Sequence, residues 1–214
     1  MESTGAREDD TAARPPPFHF SHDPSLAQFN VPVKSWIRAN NKPWDGVATG
    51  ALVFDARGRI LLVQRTSHDS MPDLWEVPGG AVDDDDASIL HGCARELWEE
   101  AGVAARRMAR LVTEGPGADA FQEFRNSTRS KLIGKFQFEV EVPEGQAVRL
   151  DPNEHQDFAW ATEEEVVREE VAGKRIPFTK RSHKHVILEG FRLRRGEARK
   201  GGGGGFTDGA ERRG

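Results

Sequence analysis

The chain has 214 residues, of which 30% are charged, and its formal net charge at pH 7 is −5. This length is sufficient for one domain with a substantial core, and no global basic field favours a nucleic-acid or membrane partner. The single cysteine, Cys93, excludes an internal disulfide, and no apolar stretch approaches the roughly 20 residues of a membrane span. We therefore expect a soluble intracellular protein, cytoplasmic in location, with no nucleic-acid or membrane partner.

The N-terminal part of the chain divides into a polar tail and a more apolar segment. The first 17 residues end in three consecutive prolines and contain no signal-peptide core, so we expect a disordered tail. Residues 18–43 include Phe29, Val31 and Trp36, which are too apolar for a free tail. We predict a short strand or helical turn that docks on the domain, with filling of the core favoured over covering of a substrate.

Two apolar segments follow and are predicted as strands. Residues 47–54 and 59–64 flank a turn in which Gly58 suits a position of positive φ. Their nearly continuous apolar runs predict burial on both faces, as in a sheet that helices cover. This pattern favours an α/β domain.

Further strands are predicted at residues 107–112 and 132–142. In the second, apolar and polar residues alternate from Lys135 onward, which is typical of a strand with one buried face. Residues 115–129 between them contain glycines and polar residues, and a long loop of this kind often shapes a ligand site.

The C-terminal part predicts two helices and a tail. Thr162 and Glu165 form the pattern of a capping box, so a helix is expected to begin near Glu163. Residues 178–194 have apolar residues at helical spacing with basic residues between them, which predicts an amphipathic helix. Residues 195–214 include five consecutive glycines and are predicted to be a flexible tail. The domain would then span residues 44–194.

The most unusual charge pattern lies in the predicted helix before Gly102. Glu96, Glu99 and Glu100, together with Arg95, share about one and a half turns and therefore one face. Like charges four residues apart cost roughly 0.2–0.5 kcal/mol, and acidic side chains in a last turn oppose the helix dipole by about 0.3–1 kcal/mol. A hard divalent cation is the simplest compensation, because carboxylate oxygens suit Mg²⁺ or Mn²⁺ better than zinc.

Gly80 and the run RELWEEAGV, which begins at Arg95, resemble the Nudix box G-x5-E-x7-R-E-U-x-E-E-x-G-U, where U is bulky and apolar. The second half matches at every specified position. The first glutamate of the box falls at Asp86, and eight residues instead of seven then separate it from Arg95. We interpret this as a one-residue insertion within residues 83–86, and the sequence leaves open whether Asp86 takes the bracing role of that glutamate. The acids before the helix are interpreted as helix-start residues, with Asp85, Asp86 or Ser88 as the N-cap.

The resemblance implies a Nudix-type α/β/α sandwich with a mixed β-sheet between helices. It also implies that the Gly80 carbonyl and the carboxylates of Glu96, Glu99 and Glu100 hold Mg²⁺ or Mn²⁺, and that Arg95 orients the glutamates. For the general base, two candidates remain. Glu99 lies within the motif, and Glu154 lies in a distant loop, from which some members of the family recruit the base.

The predicted function is metal-dependent hydrolysis of a phosphoanhydride bond in a nucleoside diphosphate linked to another moiety. The substrate would be a small nucleotide-type molecule whose base stacks on Trp75, Phe121 or Phe124, with His155 as a candidate phosphate contact. The sequence leaves the linked moiety open. Homodimers are common in the family, and the sequence leaves the oligomeric state open as well.

Two alternatives were weighed against hydrolysis. One is a catalytically silent Nudix-fold module for nucleotide binding or protein interaction, in which we would expect the acidic residues to have decayed. The other is an isomerase that resembles isopentenyl diphosphate isomerase and uses a cysteine with a glutamate. Cys93 lies on the apolar side of the motif helix, so packing is favoured over catalysis.

Overall fold

The computed structural model describes residues 18–201, with side chains described as far as residue 197. Strands and helices alternate along most of this range. In chain order they are β1 (Ser21–His22), a 3-10 helix (Pro24–Phe29), α1 (Val33–Ala39), β2 (Gly46–Val53), β3 (Ile60–Arg65), β4 (Trp75–Glu76), α2 (Ile89–Ala101), β5 (Arg107–Leu111), β6 (Gln122–Arg125), β7 (Leu132–Glu141), β8 (His155–Ala161), α3 (Glu163–Arg168), β9 (Glu170–Val171), β10 (Lys174–Arg175) and α4 (Arg181–Gly201).

The strands form two principal sheets. The larger sheet is mixed and has the order β1-β5-β7-β2, with β6 also paired to β7. Its parallel pairs are β1 with β5 and β2 with β7, and the second pair places Ala48 beside Lys135. The smaller sheet is antiparallel and has the order β4-β3-β8, while β9 and β10 form a separate hairpin. Gly58 has a φ of +75° in the turn between β2 and β3, as its position in the sequence predicted.

Helices cover the strands on two sides, which confirms the predicted α/β sandwich. On one side, α2 contributes Leu90 and Leu97 to a core that also contains the apolar face of β7. On the other side, α4 contributes Ile187 and Phe191 to a second core with residues of β3 and β4. The sheets therefore lie between α2 and α4, and both faces of the central strands are buried.

Strand β7 corrects one prediction from the alternating sequence. Its apolar residues do face the first core, but the polar face is buried too, and Lys135, Gln137 and Glu139 are only 7%, 3% and 2% exposed. The second face is covered because Arg194 of α4 donates a hydrogen bond to Glu139, and Gln137 lies against Gly50 of β2. An alternating pattern reports which residues share a face, and the packing of other elements decides whether that face reaches water.

The segment before β2 packs into the first core. Leu26 and Phe29 of the 3-10 helix and Val33 and Trp36 of α1 are all buried. Trp36 stacks on Trp44 with ring centroids 5.6 Å apart. Aromatic area of this size contributes several kcal/mol on burial, so this segment is part of the folded unit.

Other sequence predictions are refined by the structure. Thr162 and Glu165 form the expected capping box, and α3 begins at Glu163. The long segment 115–129 is not a loop throughout, because it contains β6, whose backbone pairs with β7. Helix α4 continues to Gly201 instead of ending at residue 194, since Arg195 pairs with Glu163 and Glu197 pairs with Arg110. The predicted disorder of residues 1–17 and the tail beyond residue 201 lie outside the described residues.

The length and hydropathy of the helices test the expectation that the protein has no membrane span. Across residues 18–201, no helix combines the length and apolar character that crossing a membrane requires.

Replacement of Trp36 by alanine should lower the free energy of unfolding by about 3–5 kcal/mol, because it removes a large buried ring from the first core. Urea unfolding followed by circular dichroism would measure the loss. The matched control is Arg38→Ala, an exposed position of the same helix, which should change stability by no more than about 0.5 kcal/mol. Equal stability of the two variants would show that residues 18–43 contribute nothing to the core.

Candidate active site

Helix α2 presents the acidic residues near its C-terminal end. It begins after Ser88, whose Oγ accepts a hydrogen bond from the His91 N–H at 3.2 Å, so the cap is Ser88 and not one of the preceding aspartates. It ends at Gly102, which has a φ of +65° and closes the last turn. Glu96, Glu99 and Glu100 therefore lie in the final two turns.

Arg95 is the centre of the polar network on this helix. Its guanidinium donates to the Asp86 carboxylate at 3.1 and 2.9 Å, to Glu96 at 2.8 Å and to Glu99 at 2.7 Å. It also donates to the carbonyl oxygen of Ala81 at 2.8 Å. Because a planar guanidinium holds its donors in a rigid fork, this one side chain fixes the glutamates relative to the preceding loop.

Asp86 joins the acidic loop to the helix. Besides its two bonds from Arg95, its Oδ2 accepts a hydrogen bond from the Asp83 N–H at 2.8 Å. By contrast, Asp84 in the same loop is exposed and pairs with Lys34 at the surface. The shorter carboxylate at Asp86 therefore makes the bracing contacts expected of the first glutamate in the box, and the inserted residue is accommodated in the loop.

Two glycines before the loop allow the carboxylates to approach the backbone. Gly79 has a φ of +148°, and a Cβ there would lie 2.3 Å from the Thr49 carbonyl oxygen. Its N–H donates to Glu100 Oε2 at 2.6 Å. Gly79 therefore has no space for a side chain, while a Cβ on Gly80 would lie 2.5 Å from Glu96 Oε2 and would displace that carboxylate.

The two inward carboxylates are held in a desolvated site. Burial raises the pKa of Glu96 to about 7, and the nearby Arg95 partly opposes this shift. Glu100 is 5% exposed, and burial raises its pKa well above the ordinary range, reinforced by the charges of Glu76, Glu96 and Glu154. Within residues 18–197, no basic side chain forms an ion pair with Glu100. A divalent cation fits this donor set, because it would compensate the charge of Glu100 and the excess of carboxylates over the single guanidinium of Arg95.

The start of β8 brings two more candidate residues to Glu100. One carboxylate oxygen of Glu154, one of Glu100 and a ring nitrogen of His155 all lie within 4.8 Å of one another. His155 is 2% exposed, and neither of its ring nitrogens has a hydrogen-bond partner among the described residues. Burial lowers the pKa of His155, so the imidazole is neutral and can act as a metal ligand. The sequence suggested a phosphate contact for His155, whereas the structure places it beside the acidic site.

A cavity of about 540 Å³ is lined by Gly79 and Gly80, whereas Glu96 and Glu100 are not among its lining residues. Its volume is within the range of small-molecule sites, about 300–1,000 Å³. Helix α1 contributes Val33 and Ile37 to the wall, so the N-terminal segment both fills the core and lines the cavity. The other lining side chains come from β6, β7 and the residues around the start of α4, and include Phe124, Ile133, Lys135, Lys180 and His183.

The aromatic candidates for base stacking fall into two groups. Phe124 lines the cavity. Trp75 is 1% exposed within the second core, and Phe121 packs edge-on against Trp44 with ring centroids 4.9 Å apart. The predicted contact of Trp75 with a base is therefore wrong for this conformation, because the second core covers its ring. Phe121 is only partly buried against the first core, and its contact with a base stays a prediction.

Sequence reasoning missed several polar residues of the cavity. Glu76 is buried and paired with Arg65, and His183 Nδ1 lies 3.9 Å from its carboxylate. Glu76 stands directly before Val77-Pro78-Gly79-Gly80, and that proximity was the one available signal. Lys135 and Lys180 come from distant elements, and no local sequence pattern links them.

The geometry agrees with the result of comparison with known proteins. A model of the NUDIX domain matches residues 44–182, which is more than half of the chain, so the protein belongs to the Nudix family. It is a Nudix hydrolase, a pyrophosphohydrolase by class.

Named relatives support this class. CTP pyrophosphohydrolase from Escherichia coli (strain K12) is 30% identical over 127 residues, covering 59% of this chain and 84% of that protein. RNA pyrophosphohydrolase from Rhizobium meliloti (strain 1021) is 26% identical over 152 residues, covering 64% and 88%.

Solved structures confirm the Nudix fold. The NUDIX domain of Shewanella oneidensis NrtR, solved with ADP ribose, superposes with a TM-score of 0.52 at 20% identity and covers 75% of this chain and 97% of that one. The MutT protein from Methanosarcina mazei Go1 gives 0.51 at 23% identity and covers 70% and 94%. At these identities the likeness concerns the fold.

Replacement of Asp86 by asparagine should lower the free energy of unfolding by about 1–3 kcal/mol, because it removes a charged, largely buried partner of Arg95. Chemical unfolding in EDTA would measure the change. Asp84→Asn is the matched control in the same loop, and its exposed pair with Lys34 predicts a change within about 1 kcal/mol. A loss no larger than that of the control would contradict the bracing role of Asp86.

Replacement of Glu100 by glutamine should stabilise the metal-free protein at pH 8, and the gain should shrink as the pH falls toward 4.5. Folding raises the Glu100 pKa above its unfolded value, so the wild-type free energy of unfolding decreases as the pH rises, by about 1.4 kcal/mol for each pKa unit of the shift. Glutamine keeps an oxygen for the Gly79 N–H and carries no charge. Urea unfolding in EDTA between pH 5 and pH 8 would test this, and a gain that does not depend on pH would refute it.

Proposed function

We propose that the protein is a metal-dependent hydrolase that cleaves a phosphoanhydride bond in a nucleoside diphosphate linked to another moiety. The observation that carries this proposal is the position of Glu100. Its buried carboxylate lies beside Gly79, Glu154 and His155 without a basic partner in the described residues, and Gly79, whose N–H donates to it, lines the cavity. A site of this kind would suit a divalent cation, which prefers carboxylate and phosphate oxygens as ligands.

In this proposal the Gly80 carbonyl and the carboxylates of Glu96, Glu99 and Glu100 hold Mg²⁺ or Mn²⁺. Such a cation neutralises charge on phosphoryl oxygens and lowers the pKa of a bound water. Arg95 orients Glu96 and Glu99 through its hydrogen bonds. Gly79 holds Glu100 through its N–H, so the ligands are positioned before substrate binds.

Glu154 is the better candidate for the general base. Glu99 accepts a hydrogen bond from Arg95 at 2.7 Å, which occupies one of its oxygens. The exposed side chain of Glu154 has no ion-pair partner among residues 18–197, and it lies within 4.8 Å of Glu100 and His155. Glu154 can therefore accept a proton from a water on the solvent side of the site.

The cavity supports a nucleotide-type substrate. Phe124 offers an aromatic face, and Val33 and Ile37 add apolar wall on the side of α1. The names of two relatives point to nucleotide pyrophosphate chemistry, namely CTP pyrophosphohydrolase and the NUDIX domain that binds ADP ribose.

The direct experiment is a hydrolysis panel with nucleoside triphosphates, ADP ribose, dinucleotides, coenzyme A and dinucleoside polyphosphates, in Mg²⁺, in Mn²⁺ and in EDTA. Cleavage of one substrate class that EDTA abolishes would support the proposal and identify the linked moiety. Absence of turnover by folded protein that binds Mn²⁺ would favour a catalytically silent binding module instead.

Replacement of Glu100 by glutamine should lower kcat at least about a hundredfold on any substrate that the panel identifies, because metal stabilisation of the transition state contributes several kcal/mol. Paramagnetic resonance of Mn²⁺ should show weaker binding in the same variant, while circular dichroism stays unchanged. The matched control is Glu164→Gln, an exposed glutamate of α3, which should leave turnover and Mn²⁺ affinity unaltered. Full activity of the Glu100 variant would exclude the assigned metal site.

A further inference from the structure

The buried polar face of β7 carries one charge that the protein does not neutralise. Glu139 on this face is paired with Arg110 and Arg194. Lys135 is 7% exposed, lines the cavity, and has neither an ion pair nor a hydrogen bond to any residue in the described part of the chain. An ammonium group in such a place is costly unless an anion accompanies it.

A second lysine faces the same space. The Lys180 ammonium lies 4.0 Å from the centroid of the Phe124 ring, and both residues line the cavity. Burial lowers the pKa of Lys180, the charge of Lys135 lowers it further, and the charge of Glu76 opposes these shifts. Burial also lowers the pKa of His183, with Lys135 and Lys180 adding to the effect, so this imidazole is neutral.

The buried carboxylate in the cavity wall already has partners. Glu76 lines the same cavity, but it pairs with Arg65 and also accepts a hydrogen bond from Thr179 at 3.5 Å. Of the other carboxylates in the cavity wall, Asp83 and Asp84 form ion pairs with Arg95 and Lys34, and the exposed Asp45 accepts a hydrogen bond from the Leu132 N–H. Two lysines that line one cavity and have no ion-pair partner among the described residues are typical of a site for an anionic ligand.

The distance between the lysines and the acidic site suits one extended ligand. Ala81 forms a bridge with Ala48, and Ala48 is the neighbour of Lys135 in the parallel pair. Because Ala81, Ala48 and Lys135 lie on three neighbouring strands, two strand spacings separate the backbone of Ala81 from that of Lys135 by roughly 10 Å. The small residues Gly46 and Ala48 keep this path open, and both line the cavity.

We propose that Lys135 and Lys180 form a subsite for a phosphate monoester, carried by the substrate away from the bond that is cleaved. That this phosphate monoester belongs to a substrate rests on the proposed hydrolase function. The substrate would then have a pyrophosphate at the carboxylates of α2 and a further phosphate at the two lysines, with the connecting moiety along Phe124 and Ile133.

Phosphate binding can be measured without metal or turnover. Phenyl phosphate, titrated in EDTA and followed by calorimetry or by amide chemical shifts, should bind the wild type and should lose at least about tenfold in affinity in Lys135→Met and in Lys180→Gln. The matched control is Lys184→Gln, since Lys184 is paired with Glu169 and does not line the cavity. Lys135→Met should also unfold at an equal or higher urea concentration than the wild type, because methionine removes an unpaired buried charge at similar volume.

These measurements separate a ligand site from a structural lysine. Unchanged phosphate affinity in both variants would overturn the subsite. Marked destabilisation of Lys135→Met, together with unchanged affinity in the exposed variant Lys180→Gln, would assign Lys135 a structural role and would overturn it as well.

Turnover gives an independent test. NADPH and NADH form one matched pair, and coenzyme A and dephospho-coenzyme A form another, each differing by a single phosphate monoester. The phosphorylated member of a hydrolysed pair should have at least a tenfold higher kcat/KM, and Lys135→Met should abolish this preference. Equal kcat/KM for both members in the wild type would overturn the inference. If neither pair is hydrolysed, the proposed hydrolysis fails for these substrates, and phenyl phosphate binding alone decides the lysine subsite.

Discussion

The candidate site depends on the hydrogen bonds of one guanidinium group. Arg95 holds Asp86 and the Ala81 carbonyl in the loop, and Glu96 and Glu99 on the helix. Without this fork, the repulsion among neighbouring carboxylates would separate the loop from α2. The same contacts let an aspartate replace the longer glutamate of the box, because the extra loop residue brings Asp86 within reach of Arg95.

Glu100 is buried against the backbone of the loop before α2, where its negative charge is unfavourable without a cation. Gly79 and Gly80 have no side chains, so the backbone can approach the carboxylates closely enough to donate a hydrogen bond. Burial then raises the pKa of Glu100, and the free energy stored in this desolvated group is available to a cation. In the proposed metal site, local instability and metal affinity would have the same physical origin.

The space between the two sheets defines the other half of the site. On β2 the residues that face this space are small, and on β7 and α4 they include Lys135 and His183. Helix α1 closes one wall with the same turn that places Trp36 in the core. The N-terminal segment, the sheet and the final helix thus contribute to one cavity, although they are far apart in sequence.

Local chemistry in the sequence was sufficient for the α/β class, the strands on either side of Gly58, the capping box at Thr162 and the acidic face of α2. These features depend on residues within a few positions of one another, so the spacing of residue types along the sequence is enough to predict them. Tertiary structure decided which polar residues are buried. The alternation in β7 predicted a shared face for Lys135 and Glu139, but only the packing of α4 showed that this face is internal, with Glu139 neutralised and Lys135 left facing the cavity. It likewise placed Trp75 in the second core and His155 beside Glu100, because burial is a property of the elements that pack together and is not encoded in any short stretch of sequence.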